Sequence, residues 1–218
     1  MTTLLKCLSF TLILTSLNMF QSNAAMYSTL TSGSWDNTTN VWSLNGITPC
    51  SCAPSTTVSG DAIRINHNIV MTENLEIILG SIFTVSTSGS LSGPSYDITL
   101  LSAGTVVNLN GPVTVSRLFN GFPSLTEGAT LNIRTILNVQ TQCDFYDGNV
   151  NLDFGYLHMT IGGNYRNWDN STFTMLNGSK VELFGGNIVN YGNIGLCATC
   201  CMTSEGNWTN NAPGVLTG

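Results

Sequence analysis

Asp147, Asn149, Asn151 and Asp153 alternate along "CDFYDGNVNLDFG", an i, i+2, i+4, i+6 spacing that sets all four on one side of a strand. Oxygen ligands so arranged suit Ca²⁺, a hard cation that gathers many oxygens around it. The plainer reading is a polar face lying opposite Val150, Leu152 and Phe154, and it is preferred because no calcium-loop motif matches. Asp144, Asp147 and Asp153 are also the carboxylates that a β-helical polysaccharide lyase or hydrolase would use. A lyase must neutralise an acidic substrate and assist proton abstraction, and no cluster of Lys or Arg neighbours these residues in the sequence. His67 and His158 each sit in an alternating apolar run without a catalytic motif around them, so no residue is assigned a catalytic role.

Aromatic faces can stack on sugar rings, which makes Trp35, Trp42, Tyr165 and Trp208 the candidate ligand-binding residues. For Trp35 and Trp42 the competing expectation is a cap over the open end of a core. Cysteine is the third chemistry. Cys50, Cys52, Cys143, Cys197, Cys200 and Cys201 form an even set, as expected of disulfides in an exported chain, although their connectivity stays open. Zinc is disfavoured because one side of the set is Cys-x-Cys rather than a second Cys-x-x-Cys knuckle. Four Asn-x-Ser/Thr sequons begin at Asn37, Asn170, Asn177 and Asn207, a number that the abundance of Asn, Ser and Thr produces by chance.

What must position these groups begins after the leader. "MTTLLK", "CLSFTLILTSLNMF" and "QSNAA" have the charged, apolar and small-residue parts of a secretory signal peptide, and cleavage is expected after Ala24. The apolar run is too short and too interrupted for a comfortable membrane span, and no later stretch approaches spanning length. Residues 1–24 are therefore read as leader, 25–60 as an N-terminal cap segment, and 61–218 as repeating coils that are incomplete at the C-terminus. Removing Lys6 with the leader leaves five cations against twelve carboxylates, without a basic cluster, which argues against nucleic acid. Charged residues make up only 8% of the chain, well below the usual quarter, so the surface is built from neutral amides and hydroxyls.

Two patterns repeat. Gly-Asn-h-x-Asn, with h apolar or aromatic, occurs at 163–167, 186–190 and 206–210. A glycine followed by apolar residues three and five places on occurs from Gly80 (Phe83, Val85), Gly104 (Val107, Leu109), Gly128 (Leu131, Ile133) and Gly178 (Val181, Leu183). Gly148 joins this series with a one-residue slip, giving Val150, Leu152 and Phe154, and such a slip reverses the inward face unless a bulge or turn absorbs it. Alternation of period two within a run indicates strand, and recurrence at about 20–24 residues indicates stacked coils. The expected fold is all-β, a parallel β-helix or β-solenoid almost without helix; an antiparallel β-sandwich is the alternative.

The segment "IGGNYRNWDNSTFTMLNGSKVELFGG" resembles the repeat phrase of secreted Bacteroidetes-type surface proteins, and "SGSWDNTTNVWSLNGITPCSCAPSTTVSGDAIRINHNIVMTENLEI" is similar to the segment that often begins their β-helices. The resemblance extends over residues 32–210. It implies a right-handed parallel β-helix in a large exported or cell-surface protein, usually adhesin-like or structural and sometimes attached to carbohydrate-active enzymes. The functional expectation is an extracellular noncatalytic scaffold, secreted or at the cell surface. The alternative is a carbohydrate-binding module, or the β-helix of a polysaccharide-degrading enzyme, with extracellular polysaccharide or cell-surface glycans as partner. Calcium is the only cofactor considered, at the 147–153 set.

Overall fold

A computed structural model describes residues 24–122, 128–160 and 162–218; all but the last residue of the expected leader lies outside them. The chain is all-β and stacks as a β-solenoid of about seven turns. Each turn contributes a strand to three successive faces, and among the described residues every strand pairing but one, which is antiparallel, is parallel. Parallel pairing follows from the repeat itself, because a strand that recurs once per coil meets its successor in the same direction.

The first face stacks β1 (Met26–Thr29), β5 (Ala62–Ile65), β8 (Ile82–Val85), β10 (Val106–Leu109) and β12 (Thr130–Ile133). It continues through the last part of β13 (Ile136–Asp153) and of β15 (Asn164–Leu176), then β18 (Asn193–Gly195) and β21 (Val215–Thr217). The second face stacks β2 (Gly33–Ser34), β6 (Asn68–Val70), the first parts of β9 (Ser90–Leu100), β11 (Val113–Asn120) and β13, then β14 (Tyr156–Met159), β16 (Lys180–Leu183) and β19 (Cys201–Ser204). The third carries β4 (Thr57–Ser59), β7 (Leu75–Ile78), the later parts of β9 and β11, the middle of β13, the start of β15, β17 (Ile188–Asn190) and β20 (Trp208–Asn210).

Along the strands up to β18 alternate side chains enter one continuous core. Phe83, Val107, Leu131, Val150, Phe173 and Ile194 lie in register along the first face, all of them buried. The slip at Gly148 is absorbed as the alternation requires. Thr130 pairs with Asn149 and Leu131 with Val150, so the inward set stays inward, and the β13–β15 ladder shifts register between Phe145 and Asp147. Gly148 takes φ +83°, and a Cβ there would stand 2.4 Å from the Ala129 carbonyl oxygen. Phe154 does not continue the inward set: the chain turns a corner at that point, and the ring is 74% exposed on a left-handed backbone (φ 54°). Gly178 likewise leaves the series led by Gly80, Gly104 and Gly128, since Val181 and Leu183 belong to the second face and pair with Leu157 and Met159.

The Gly-Asn-h-x-Asn phrase is the corner entering the third face. Its glycines stack so closely that a Cβ on Gly186 would fall 1.6 Å from the Gly163 carbonyl oxygen, a position no other residue fits. The middle residues Tyr165, Ile188 and Trp208 lie in register, the first two of them buried. The final asparagines form a ladder: Asn167 Nδ2 donates to Asn190 Oδ1 at 2.9 Å, and Asn190 Nδ2 to Asn210 Oδ1 at 2.7 Å. The first asparagines form another, with Asn187 donating to Asn164 Oδ1 and the Asn207 backbone N–H donating to Asn187 Oδ1. Amide side chains in a parallel stack repeat the hydrogen bonding of the backbone beside them and fix coil register.

At the N-terminal end, 22 residues between β2 and β4 leave the coil path, and β3 (Trp42–Ser43) within them pairs antiparallel with β1. Trp35 and Trp42 pack edge to face at 5.1 Å, and Trp35 also lies against Phe83. Both indole N–H groups are satisfied inside, Trp42 on the Trp35 carbonyl and Trp35 on that of Pro54.

Candidate functional site

The residues singled out in the sequence fall in different places. Trp35, Trp42 and Tyr165 are core residues with at most 1% of their surface exposed, so they present no face to a ligand. Their burial follows from parity, because each sits at an inward position with a coil or loop packed over it. Trp208 is the exception: it is 40% exposed on β20.

Three of the four oxygen-bearing residues from 147 to 153 are engaged elsewhere. Asp147 folds back on the backbone N–H of Gly148, Asn151 donates to Asn132 in an amide ladder that runs on to Asn108, and Asp153 accepts from Asn177 and Arg134. Asn149 is exposed. Among the described residues no group of three or more His, Cys, Asp or Glu side chains is gathered to hold a metal ion.

The carboxylates also correct the impression that no cations stand near them. Asp144 is fully buried and accepts both Nε and Nη2 of Arg166, at 2.7 and 2.6 Å, from the next coil. Gln142 and Tyr146 add two further hydrogen bonds to the same carboxylate. Asp97 and Arg117 form the equivalent pair two coils earlier, with Nε–Oδ2 at 3.0 Å. Charge-assisted forks of this kind are the stronger hydrogen bonds, and the carboxylate raises the pKa of Arg117 and of Arg166, chiefly through the side-chain hydrogen bond. Beside them Tyr146, Trp168 and Tyr191 stack nearly parallel, at 5.4 and 5.0 Å, along the solenoid axis.

Disulfides join closely spaced cysteines, Cys50 to Cys52 and Cys197 to Cys200, with Cα separations of 5.1 and 5.0 Å. Cys143 and Cys201 are unbonded. Cys143 points into the core with Leu118 and Tyr165 as its neighbours in register, and burial pushes its thiol well up, with Asp144 adding to the effect. Cys201 points outward from β19.

A set of reactive side chains lies together on the second face, where the sequence suggested only His158. Tyr156 and His158 project outward from β14, Lys180 and Glu182 from β16, and Thr203 from β19, with Tyr156 beside Lys180 and His158 beside Glu182 in the strand register. Phe184 and Glu205 follow at the corner. Glu182 accepts hydrogen bonds from Lys180 and from the Tyr156 hydroxyl. Lys180, then Tyr156, hold the carboxyl below the usual carboxylate range. Desolvation, then the bond to Glu182, pushes the Tyr156 phenol up to about 12. The Lys180 ammonium lies 5.6 Å from the Tyr156 ring centre. His158 Nδ1 is 3.0 Å from Asn138 Oδ1, and its ring stands edge to face with Phe184 at 5.2 Å. Glu182, Leu183, Phe184, Thr203, Ser204 and Glu205 line a cleft of about 160 Å³. The signal that could have located this cluster is the outward parity of Tyr156–His158 and Lys180–Glu182–Phe184, legible once Leu157 and Val181 are assigned inward.

No family model, curated protein or solved structure matches the chain. Among the described residues no helix is long and apolar enough to cross a membrane.

Proposed function

We propose that the chain is an extracellular, noncatalytic scaffold, an adhesin-like β-solenoid that spaces or presents other parts of a surface protein. The observation that carries this reading is where the polar side chains point. Arg117, Arg134 and Arg166 each pair with an aspartate on a neighbouring coil, and the asparagine ladders join one coil to the next. These arginines, aspartates and asparagines are bonded along the stack, where they hold register. The secretory form of residues 1–24 supports an extracellular location.

The test has two arms. Antibody against the chain should label intact producing cells or the medium, and the exported protein should begin at Ala25. The purified chain should release neither reducing ends nor unsaturated products from a polysaccharide panel. Turnover of any member, or retention in the cytoplasm, overturns the proposal.

A further inference from the structure

We propose that the cleft between β16 and β19 binds a neutral pyranose unit of a glycan, stacked on Phe184 and hydrogen-bonded by Glu182 and Glu205. This adds a ligand to the scaffold reading and does not depend on it.

A pyranose offers an apolar C–H face and a rim of hydroxyls that both donate and accept, so its site needs an aromatic wall beside fixed polar groups. The cleft supplies both. The Phe184 ring is 44% exposed, and the His158 ring packs perpendicular to it at 5.2 Å. His158 in turn is fixed by Asn138 on the preceding coil. A carboxylate has about four acceptor positions; Lys180 and Tyr156 occupy two on Glu182 and orient the rest. Glu205 is anchored through its backbone N–H on the Leu183 carbonyl. Its carboxylate lines the cleft without a protein hydrogen bond or ion pair among the described residues.

The charge pattern narrows the ligand. Two carboxylates repel uronic or sulfated sugars. Lys180, the cation beside the cleft, already lies on Glu182, so an incoming ammonium would duplicate a contact that exists. Hydroxyls suit the acceptors that remain. The aromatic surface also extends beyond the cleft, through outward-facing His158 and Tyr156 to Phe154 at the corner. Tyr156 and His158 stand two residues apart on β14 with their ring centres 5.4 Å apart, and Phe154 precedes them at the corner.

The test is affinity electrophoresis of the full exported chain through gels containing laminarin, xyloglucan or galactomannan as neutral glycans, polygalacturonate as acidic glycan, or chitosan as amine-bearing glycan. Retardation is expected from at least one neutral glycan. It should weaken tenfold or more in Phe184→Ala and in Glu205→Gln, and persist in Trp208→Ala, which tests the remaining candidate from the sequence. Glu205→Gln changes an exposed carboxylate and keeps the test valid if the Phe184 variant does not fold. Equal mobility in all three neutral gels overturns the proposal, as does retardation that survives both cleft substitutions. Retardation only by chitosan would make the site an ammonium site, and retardation only by polygalacturonate would place binding elsewhere; either result also overturns it.

Discussion

Replacing Asn190 with Ala should destabilise the protein by about 2–4 kcal/mol, although the change removes only a small polar side chain. Asn190 is buried on β17, in the middle of a ladder with Asn167 above and Asn210 below. Truncation removes the 2.7 Å bond to Asn210, whose oxygen is exposed and can turn to water, a net loss of about 0.5–1.5 kcal/mol. The larger effect falls on Asn167. Its Nδ2 donates to Asn190 Oδ1 and to the Asn193 carbonyl, so loss of Asn190 strands one amide hydrogen in a fully buried position, at about 1–3 kcal/mol. The outer ladder provides the internal control: Asn187 is half-buried and lies beside exposed Asn164, so Asn187→Ala should cost no more than about 1 kcal/mol. Urea denaturation followed by tryptophan fluorescence and far-ultraviolet circular dichroism measures both variants. The double variant Asn167→Ala/Asn190→Ala should cost less than the sum of the singles, because the stranded donor is removed with its partner. Equal, small effects at 187 and 190, or strict additivity of the double variant, would refute the claim that the inner ladder fixes the stack.

Trp42→Ala should cost about 3–5 kcal/mol and lower the thermal midpoint, since the indole is fully buried against Trp35 and its N–H has a partner inside. In the exported chain, Ellman's reagent should titrate one thiol quickly, the exposed Cys201, and a second only on unfolding, because Cys143 is buried with its pKa raised; two fast thiols would contradict the placement of Cys143. Alkaline spectrophotometric titration should show a phenol ionising near 12 that Tyr156→Phe abolishes. The raised folded value means that the Tyr156 contribution to stability is intact below the ordinary phenol value of 10 and is lost as pH climbs through 12. For Glu182 the sign is opposite: its carboxyl is lowered, so its contribution is present above the ordinary value of 4.5 and fades as pH falls through the folded value, which nuclear magnetic resonance titration would locate below 4.5.

The coil architecture was legible because coil contact forces glycine into the corners and leaves alternation in the strands, and both survive in the sequence. Assignment to particular faces was less legible. Gly178 opens a strand by the same chemistry as Gly80, yet it serves the second face, and nothing local separates one corner from another. Tyr165 and Asn167 illustrate the limit for the site. Both point inward, but an asparagine in sequence reads as surface, and only the ladder formed with Asn190 on the next coil makes its burial affordable. Trp35 and Trp42 pose the same difficulty in reverse, since an aromatic that could stack on a sugar is also the largest available core residue. Continuing the alternation past Leu152 places Phe154 inward, one step beyond a corner that no residue type marks. The cleft at Glu182 joins residues whose spacing spans 23 positions, and their proximity follows from coil length rather than from any motif.

One feature of the first turn bears on how such a molecule can change. From β2 to its partner β6 the chain advances 36 residues, whereas between β4 and β7 it advances 19. The excess lies in the corner between β2 and β4, and the strands on either side keep their register with the next coil. A corner is thus a port at which sequence can be added without altering the stack, while the glycine column is closed even to a methyl group at 186 and 206. Evolution, or a designer grafting a peptide epitope, has freedom at the ports and almost none at the column. Diversity of displayed loops on a constant stem is the expected outcome.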